Sequence, residues 1–168
     1  LGTRAPKDYT AYTGTPEFES AVQALLLGKA AGARTAQVPG GTAALRLAGE
    51  LLKRAAPATR IWVGDPTWTN HLGVLQAAGL EVLRHPYVPG ALPEEARRGD
   101  AILLQSCCHN PTGMDPTPAQ WETLAKDLTK KGILPVLDIA FLGYAEGIEA
   151  DLRPARILTK AVPELLIC

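Results

Sequence analysis

Short apolar segments alternate along the chain with segments of helical periodicity, and this alternation is the feature that most constrains the fold. Residues 100–106 and 133–140 contain continuous apolar runs, which are typical of strands covered on both faces. Further strands are predicted at 60–64, 81–87 and 164–168. Strands that alternate with helices favour an α/β fold, in which a mostly parallel sheet is flanked by helices.

Helices are predicted over residues 15–28, 42–54 and 70–79, and from residue 118 onward. The last one has the clearest start, because Thr117 can cap it and Gln120 completes a capping box. Apolar side chains share one face of the first helix: Phe18, Val22, Leu25 and Leu26. The predicted apolar stripe of the second helix is Ala44, Leu45, Ala48, Leu51 and Leu52.

The bulk composition excludes several classes of protein. The 17 basic residues balance 17 acidic ones, so nothing favours binding to nucleic acid or to an anionic membrane surface. No apolar run approaches the ~20 residues of a membrane span. The cysteines are Cys107, Cys108 and Cys168, and an odd count with two adjacent favours reduced thiols in a cytoplasmic protein. The length of 168 residues predicts one domain.

A Pro-Gly-Gly-Thr stretch, residues 39–42, precedes the second predicted helix. Glycines let a ligand approach the backbone closely, and the N–H groups of a helix start suit phosphate. A plain turn before a helix would have the same sequence. The stretch lacks the Gly-Lys-Ser/Thr ending of a Walker loop and does not match G-x-G-x-x-G.

Other polar or aromatic residues stand at predicted strand ends, where open α/β sheets bind ligands. Trp68 either packs in the core or offers a flat face to an aromatic ring. His71, at a helix start, is either structural or part of a site. Asp138 lies in an apolar run, and a buried carboxylate needs a compensating partner. It either caps a nearby loop or faces the cationic group of a ligand.

The stretch CCHNPTG, residues 107–113, combines thiols, an imidazole and an amide. If the preceding strand continues, Cys107 and Cys108 point to opposite faces and cannot easily share one zinc ion. No second Cys/His pair has zinc spacing, and nothing selects a base for a thiol nucleophile, so no metal site is predicted. Pro111 favours an extended Asn110, whose amide is then presented at the strand end.

These stretches, in this order, resemble the aspartate/aromatic amino acid aminotransferases, which are pyridoxal-phosphate enzymes of fold type I. The matching blocks are ARTAQVPGGTAALR (33–46), DPTWTNH (65–71), CCHNPTGMDPT (107–117) and LDIAFLGYAEG (137–147), and GTPEF (14–18) also fits. The resemblance runs from about Tyr9 to Cys168. It implies that residues 1–168 are the N-terminal part of the large cofactor-binding domain.

The resemblance implies roles at the cofactor ring. Trp68 stacks on the pyridine ring, and Asp138 pairs with the ring nitrogen. Asn110 bonds the phenolic oxygen, and both Trp68 and Asn110 contact the substrate. His71 supports Asp138 from behind.

The resemblance also implies a phosphate site formed by Gly40, Gly41 and Thr42. Tyr9 is implied to reach the phosphate of the neighbouring subunit in a homodimer. The chain departs from the family at Phe141, which replaces a tyrosine that bonds the phenolic oxygen. One hydrogen bond is worth ~0.5–1.5 kcal/mol, so we expect altered cofactor tuning and not lost binding. Gln105 and Ala43 also replace the usual His and Gly.

The implied reaction transfers an amino group between an amino acid (aspartate, glutamate or aromatic) and a 2-oxo acid, within amino acid metabolism and biosynthesis. The lysine that forms the Schiff base is expected beyond Cys168, and the N-terminal arm and small domain are expected to be missing. No catalytic residue is therefore assigned, and the chain alone is expected to be inactive. The alternatives are another fold type I enzyme, such as a lyase or decarboxylase, and a non-catalytic remnant.

Overall fold

The computed structural model describes Tyr9, residues 11–28 and residues 32–168, and the chain divides into two compact units. The first unit, Leu1–Val38, contains helix α1 (Pro16–Leu27). As predicted, the side chain of Thr15 caps α1 by accepting a hydrogen bond from the N–H of Phe18. None of the residues of α1 is buried; on the predicted apolar face, Val22 and Leu26 are half-buried, and Phe18 and Leu25 are exposed.

The second unit, Pro39–Cys168, is a parallel sheet with helices between its strands. Its elements are α2 (Gly41–Ala55), β1 (Arg60–Asp65), α3 (Asn70–Ala77), β2 (Glu81–Pro86), β3 (Ala101–Gln105), α4 (Pro118–Lys131), β4 (Leu134–Asp138), α5 (Ile148–Asp151), α6 (Arg153–Ala161) and β5 (Leu166–Ile167). The strand order is β2-β1-β3-β4-β5, which confirms the predicted α/β class. From β1 the chain passes to β2 on one side of it, and then to β3 on its other side. Ligands of open α/β sheets bind beside such a switch point.

Both faces of the sheet are covered at its centre, which explains the continuous apolar runs of β3 and β4. Alternate strand residues pack with α2 and α3 on one face: Ile61, Val63, Ala101, Leu103 and Val136. The intervening residues Trp62, Ile102 and Leu137 pack with α4 and α6 on the other face. The stripe predicted for α2 is wrong at Leu51, which is 52% exposed. Gly49 of α2 is buried instead. A Cβ there would lie 2.8 Å from the Cβ of Ala78, which follows α3, so the glycine lets α2 pack closely against the end of α3.

The capping box of α4 is present as predicted, and Gly132 ends this helix in the left-handed conformation (φ 68°). Helices α5 and α6 were not predicted, although Leu152, Ala155 and Leu158 recur at every third residue and are fully buried. Pro154, near the start of α6, takes a position that helices tolerate.

Candidate functional site

Side chains from three strand ends meet at the carboxyl edge of the sheet. Gln105 and Asp138 are the last residues of β3 and β4 and lie opposite each other in the strand register. Both have the parity of Leu103 and Val136, which face α2 and α3. Thr67 and Trp68 follow β1, and His71 lies in the first turn of α3 on the same face of the sheet.

Asp138 and His71 form a buried pair. The Nε2 of His71 lies 2.9 Å from Oδ2 of Asp138, and Nδ1 of His71 lies 2.7 Å from Oγ1 of Thr67. His71 is fully buried, and Asp138 is 7% exposed. The ring of Trp68 meets the imidazole edge-on, with centroids 5.2 Å apart and planes at 86°. The contact between His71 and Asp138 that the resemblance implied is therefore present.

One oxygen of Asp138 is left open. Among the residues that the structure describes, the side chain of Asp138 accepts a hydrogen bond from His71 alone, through Oδ2. No fully buried side-chain polar atom in the same residues lacks a partner, so Oδ1 must reach accessible space. Asp138 caps no loop there, and its open oxygen is suited to the cationic group of a ligand.

Gln105 connects the Asn110 loop to this pair. Its Oε1 accepts the backbone N–H of Asn110 at 2.9 Å, and its Nε2 donates to the carbonyl oxygen of Asn110 at 3.1 Å. The same Nε2 donates to Oγ1 of Thr67 at 3.3 Å. The side-chain amide of Asn110 makes no hydrogen bond to any described residue and is only partly buried. It is thus available to an oxygen of a ligand.

The loop that carries Asn110 is held in place by contacts with neighbouring side chains. The carboxylate of Asp115 accepts the N–H groups of Cys108 and His109 at 2.7 and 2.8 Å. The ring of Tyr87 stacks on that of His109, with centroids 3.6 Å apart, and its hydroxyl donates to the carbonyl of Met114. Burial and the charge of Asp115 raise the pKa of Tyr87 to about 12, so this hydroxyl keeps its proton.

The strand ends at Gln105, so the premise that it continues through Cys107 and Cys108 is wrong. Cys108 has a positive φ of 50°. Cys107 is buried, and its thiol donates to the carbonyl of Phe141. Burial raises the pKa of Cys107 to about 11, which keeps its thiol protonated at neutral pH. Within residues 11–28 and 32–168, no group of His, Cys, Asp and Glu is arranged to hold a metal ion.

The glycine pair opens α2 without a side-chain cap. Gly40 is the N-cap residue with φ 87°, a conformation that favours glycine, and Thr42 is exposed. A Cβ built on Gly41 meets no described residue within 4 Å, so no neighbouring atom in that part of the chain explains the glycine there. Close approach of a ligand to the uncapped N–H groups of α2 is a physical reason for it.

Residues 3–168 match the family described as aminotransferase class I and II. The chain belongs to this family. It is 41% identical to the aspartate aminotransferase of Escherichia coli (strain K12) and 39% identical to the aromatic-amino-acid aminotransferase of Paracoccus denitrificans. Each alignment covers 99% of this chain and 46% of the relative, so the chain spans about half the length of these curated relatives.

Solved aminotransferases have the same fold. The aromatic-amino-acid aminotransferase from Burkholderia pseudomallei, covalently bound to pyridoxal phosphate, superposes with a TM-score of 0.90 at 31% identity. That match covers 97% of this chain and 45% of the other. The predicted fold type I class is therefore confirmed.

Some features of this aminotransferase-family chain were beyond sequence reasoning, or lie outside what the structure tests. The sequence marks Gln105 only as a departure from the family, and nothing in it singles out Asp115. Tyr9 is exposed and belongs to the first unit, and its implied reach into a neighbouring subunit stays a prediction. In the described part of the chain, no helix has the length and apolar character of a membrane span.

Proposed function

We propose that the chain forms the cofactor-binding part of a pyridoxal-phosphate-dependent aminotransferase. The whole protein would transfer an amino group between aspartate, glutamate or an aromatic amino acid and a 2-oxo acid. The observation that carries the proposal is Asp138, a buried carboxylate with one oxygen held by His71 and the other open. The names of the relatives, aspartate and aromatic-amino-acid aminotransferases, support the substrate class.

The residues present fit such a cofactor. The open oxygen of Asp138 suits a protonated ring nitrogen, and Trp68 offers its face to the ring. The unbonded amide of Asn110 suits a phenolic oxygen, and the glycine pair Gly40 and Gly41 suits a phosphate. When bound, pyridoxal phosphate supplies a ring that withdraws the electron pair released at the α-carbon of the amino acid.

The chain's own residues would make that ring effective. The negative charge of Asp138 favours the protonated ring nitrogen, and His71 keeps the carboxylate in place from its buried side. Trp68, whose edge contact with His71 fixes its orientation, would exclude water from one ring face. We further propose a cytoplasmic homodimer, in which Tyr9 and Thr42 of different subunits contact one phosphate, acting in amino acid metabolism and biosynthesis.

Cofactor binding can be tested on the chain by calorimetric titration with pyridoxamine 5′-phosphate, which has no aldehyde and cannot react with surface lysines. We expect saturable binding, which is weaker for pyridoxamine without phosphate. Asp138→Asn should weaken binding by at least about tenfold, because it removes the negative charge opposite the ring nitrogen. The matched control is Asp127→Asn, on the exposed side of α4. Absence of binding would favour the non-catalytic alternative.

Transamination is tested on the protein expressed from its complete reading frame. We expect it to form 2-oxo acids from aspartate or phenylalanine in the presence of 2-oxoglutarate. Release of carbon dioxide without formation of these 2-oxo acids would contradict the proposal and favour a decarboxylase of the same fold.

A further inference from the structure

A continuous chain of hydrogen bonds runs from Asn110 to Asp138. Gln105 bonds both backbone groups of Asn110, and its Nε2 lies 3.3 Å from Oγ1 of Thr67. Oγ1 of Thr67 lies 2.7 Å from Nδ1 of His71, and Nε2 of His71 lies 2.9 Å from Asp138. Each link depends on which partner holds the proton, so the direction of one bond constrains the next.

The backbone of Asn110 fixes the orientation of the Gln105 amide. A backbone N–H only donates, so the group that faces it at 2.9 Å must be the amide oxygen. A backbone carbonyl only accepts, so the group that faces it at 3.1 Å must be the amide NH2. Both contacts select the same orientation. The remaining N–H of Gln105 therefore donates to Thr67.

This donation favours one direction for the next two bonds. Oγ1 of Thr67 accepts from Gln105 and keeps its own proton for Nδ1 of His71, and the carboxylate beside Nε2 favours the same direction. A neutral imidazole that accepts at Nδ1 carries its proton on Nε2, which then donates to Asp138. The opposite tautomer would place a bare Nε2 against a carboxylate oxygen 2.9 Å away, at a fully buried histidine.

We propose that Gln105 is a positioning residue that directs these hydrogen bonds, so that His71 is held as the neutral Nε2–H tautomer and Asp138 as an acceptor with Oδ1 open to a ligand cation. The last clause rests on the proposed function, whereas the tautomer does not. Because glutamine neither gains nor loses a proton, the orientation of its amide is fixed by the backbone of the Asn110 loop.

The test is the protonation of each His71 ring nitrogen, read from long-range proton–nitrogen NMR spectra of the ligand-free chain at neutral pH. Signals of His71 are assigned by their loss in His71→Asn. We expect a bare Nδ1 and a protonated Nε2. In Gln105→Glu, a carboxylate replaces the donor and accepts the hydrogen bond of the Thr67 hydroxyl, so Nδ1 of His71 must itself donate to Oγ1 and its bare-nitrogen signal should be lost.

Two further variants keep the test decisive. Gln105→Leu removes the donor without adding charge; Asp138 still favours the proton on Nε2, so we expect a shifted Nδ1 signal and not its loss. Gln120→Glu, the same change in the exposed capping box of α4, should leave His71 unchanged. A protonated Nδ1 in the unsubstituted chain would overturn the proposal, as would a tautomer that is indifferent to both changes at Gln105.

This result is separable from the proposed function. The expected tautomer without binding of pyridoxamine 5′-phosphate would refute the function and leave the positioning role of Gln105 intact. Binding together with the opposite tautomer would refute the role of Gln105 alone.

Discussion

Two buried aspartates, at opposite ends of the parallel strands, differ in how many hydrogen bonds their carboxylate oxygens accept. Asp100, just before β3, accepts hydrogen bonds from Nε and Nη2 of Arg60 at 2.9 and 2.7 Å. It also accepts from the indole of Trp62 at 2.8 Å and the N–H of Arg97 at 3.1 Å. Asp138 accepts from His71 alone within the described residues. A fully bonded carboxylate stabilises the fold, whereas one with an open oxygen is explained better by a ligand.

The electrostatics of Asp100 match a structural role. Burial acts to raise the pKa of Asp100, but the hydrogen bonds from Arg60, Trp62 and Arg97 outweigh it and the pKa lies below its ordinary value. Asp151 follows the same rule: burial raises its pKa, and N–H groups of Glu146, Ala145 and Gly143 lower it further than burial raises it. Both carboxylates therefore act as internal caps of chain segments.

The largest effect on stability is expected for Asp100→Ala. The buried indole N–H of Trp62 and the N–H of Arg97 lose their acceptor, and we expect the free energy of unfolding to fall by about 3 kcal/mol. Urea denaturation measures this change. A loss below about 1 kcal/mol would show that Asp100 is no more structural than an average residue.

The pH dependence gives a second check on Asp100. Because its pKa is lowered in the folded chain, its contribution is complete above the ordinary value of ~3.9 and is lost as the pH falls through the folded value. The stability of Asp100→Ala should therefore fall less between neutral and acid pH than that of the unsubstituted chain. Equal slopes for both proteins would contradict the assignment.

Asp138→Asn should show the opposite pattern, with a small effect on stability and a large effect on cofactor binding. The Nε2–H of His71 can still donate to the amide oxygen, so we expect a loss of about 1 kcal/mol or less in the free energy of unfolding. Affinity for pyridoxamine 5′-phosphate should fall by at least about tenfold. Urea denaturation and calorimetry separate the two effects. A stability loss equal to that of Asp100→Ala would break the distinction between the two aspartates.

Asp100 and Asp138 also show which interactions can be predicted from the sequence. Asp138 is visible because a carboxylate inside an apolar run is a local anomaly. Asp100 begins a similar run but was not recognised, since its partners Arg60 and Trp62 are 40 and 38 residues away and only the sheet brings them together. The capping box of α4 was predicted because its groups are three residues apart.

Hydrogen bonds between residues far apart in the sequence could not be predicted from local patterns. The contact between His71 and Asp138 spans 67 residues, and only the family resemblance implied it. The bond between Gln105 and Thr67 spans 38 residues, and the resemblance did not imply it because the family has a different residue there. The sequence pattern thus predicts the sheet and its ligand-binding edge, whereas the bonding of the site depends on the tertiary fold.

A smaller effect is expected at the phosphate side, where Gly41→Ala separates fold from ligand binding. An added methyl group meets none of the residues that the structure describes, so helix stability should rise by about 0.5 kcal/mol. The methyl group would crowd a bound phosphate, and we expect affinity for pyridoxamine 5′-phosphate to fall about tenfold. Gly73→Ala in α3, which also has open space around it, is the control that should stabilise without weakening binding.

The smallest effect is expected for Phe141→Tyr, which adds the hydroxyl that the family resemblance places at this position. Phe141 is 39% exposed, so the hydroxyl need not be desolvated and stability should change by less than about 0.5 kcal/mol. If the hydroxyl reaches the phenolic oxygen of the cofactor, one hydrogen bond should tighten binding of pyridoxamine 5′-phosphate by about three- to tenfold. Phe18→Tyr in α1, at 38% exposure, is the matched control and should change nothing. Unchanged affinity of Phe141→Tyr would place Phe141 out of reach of the ring, and the open side of Asp138 would then be the only part of the ring site that calorimetry supports.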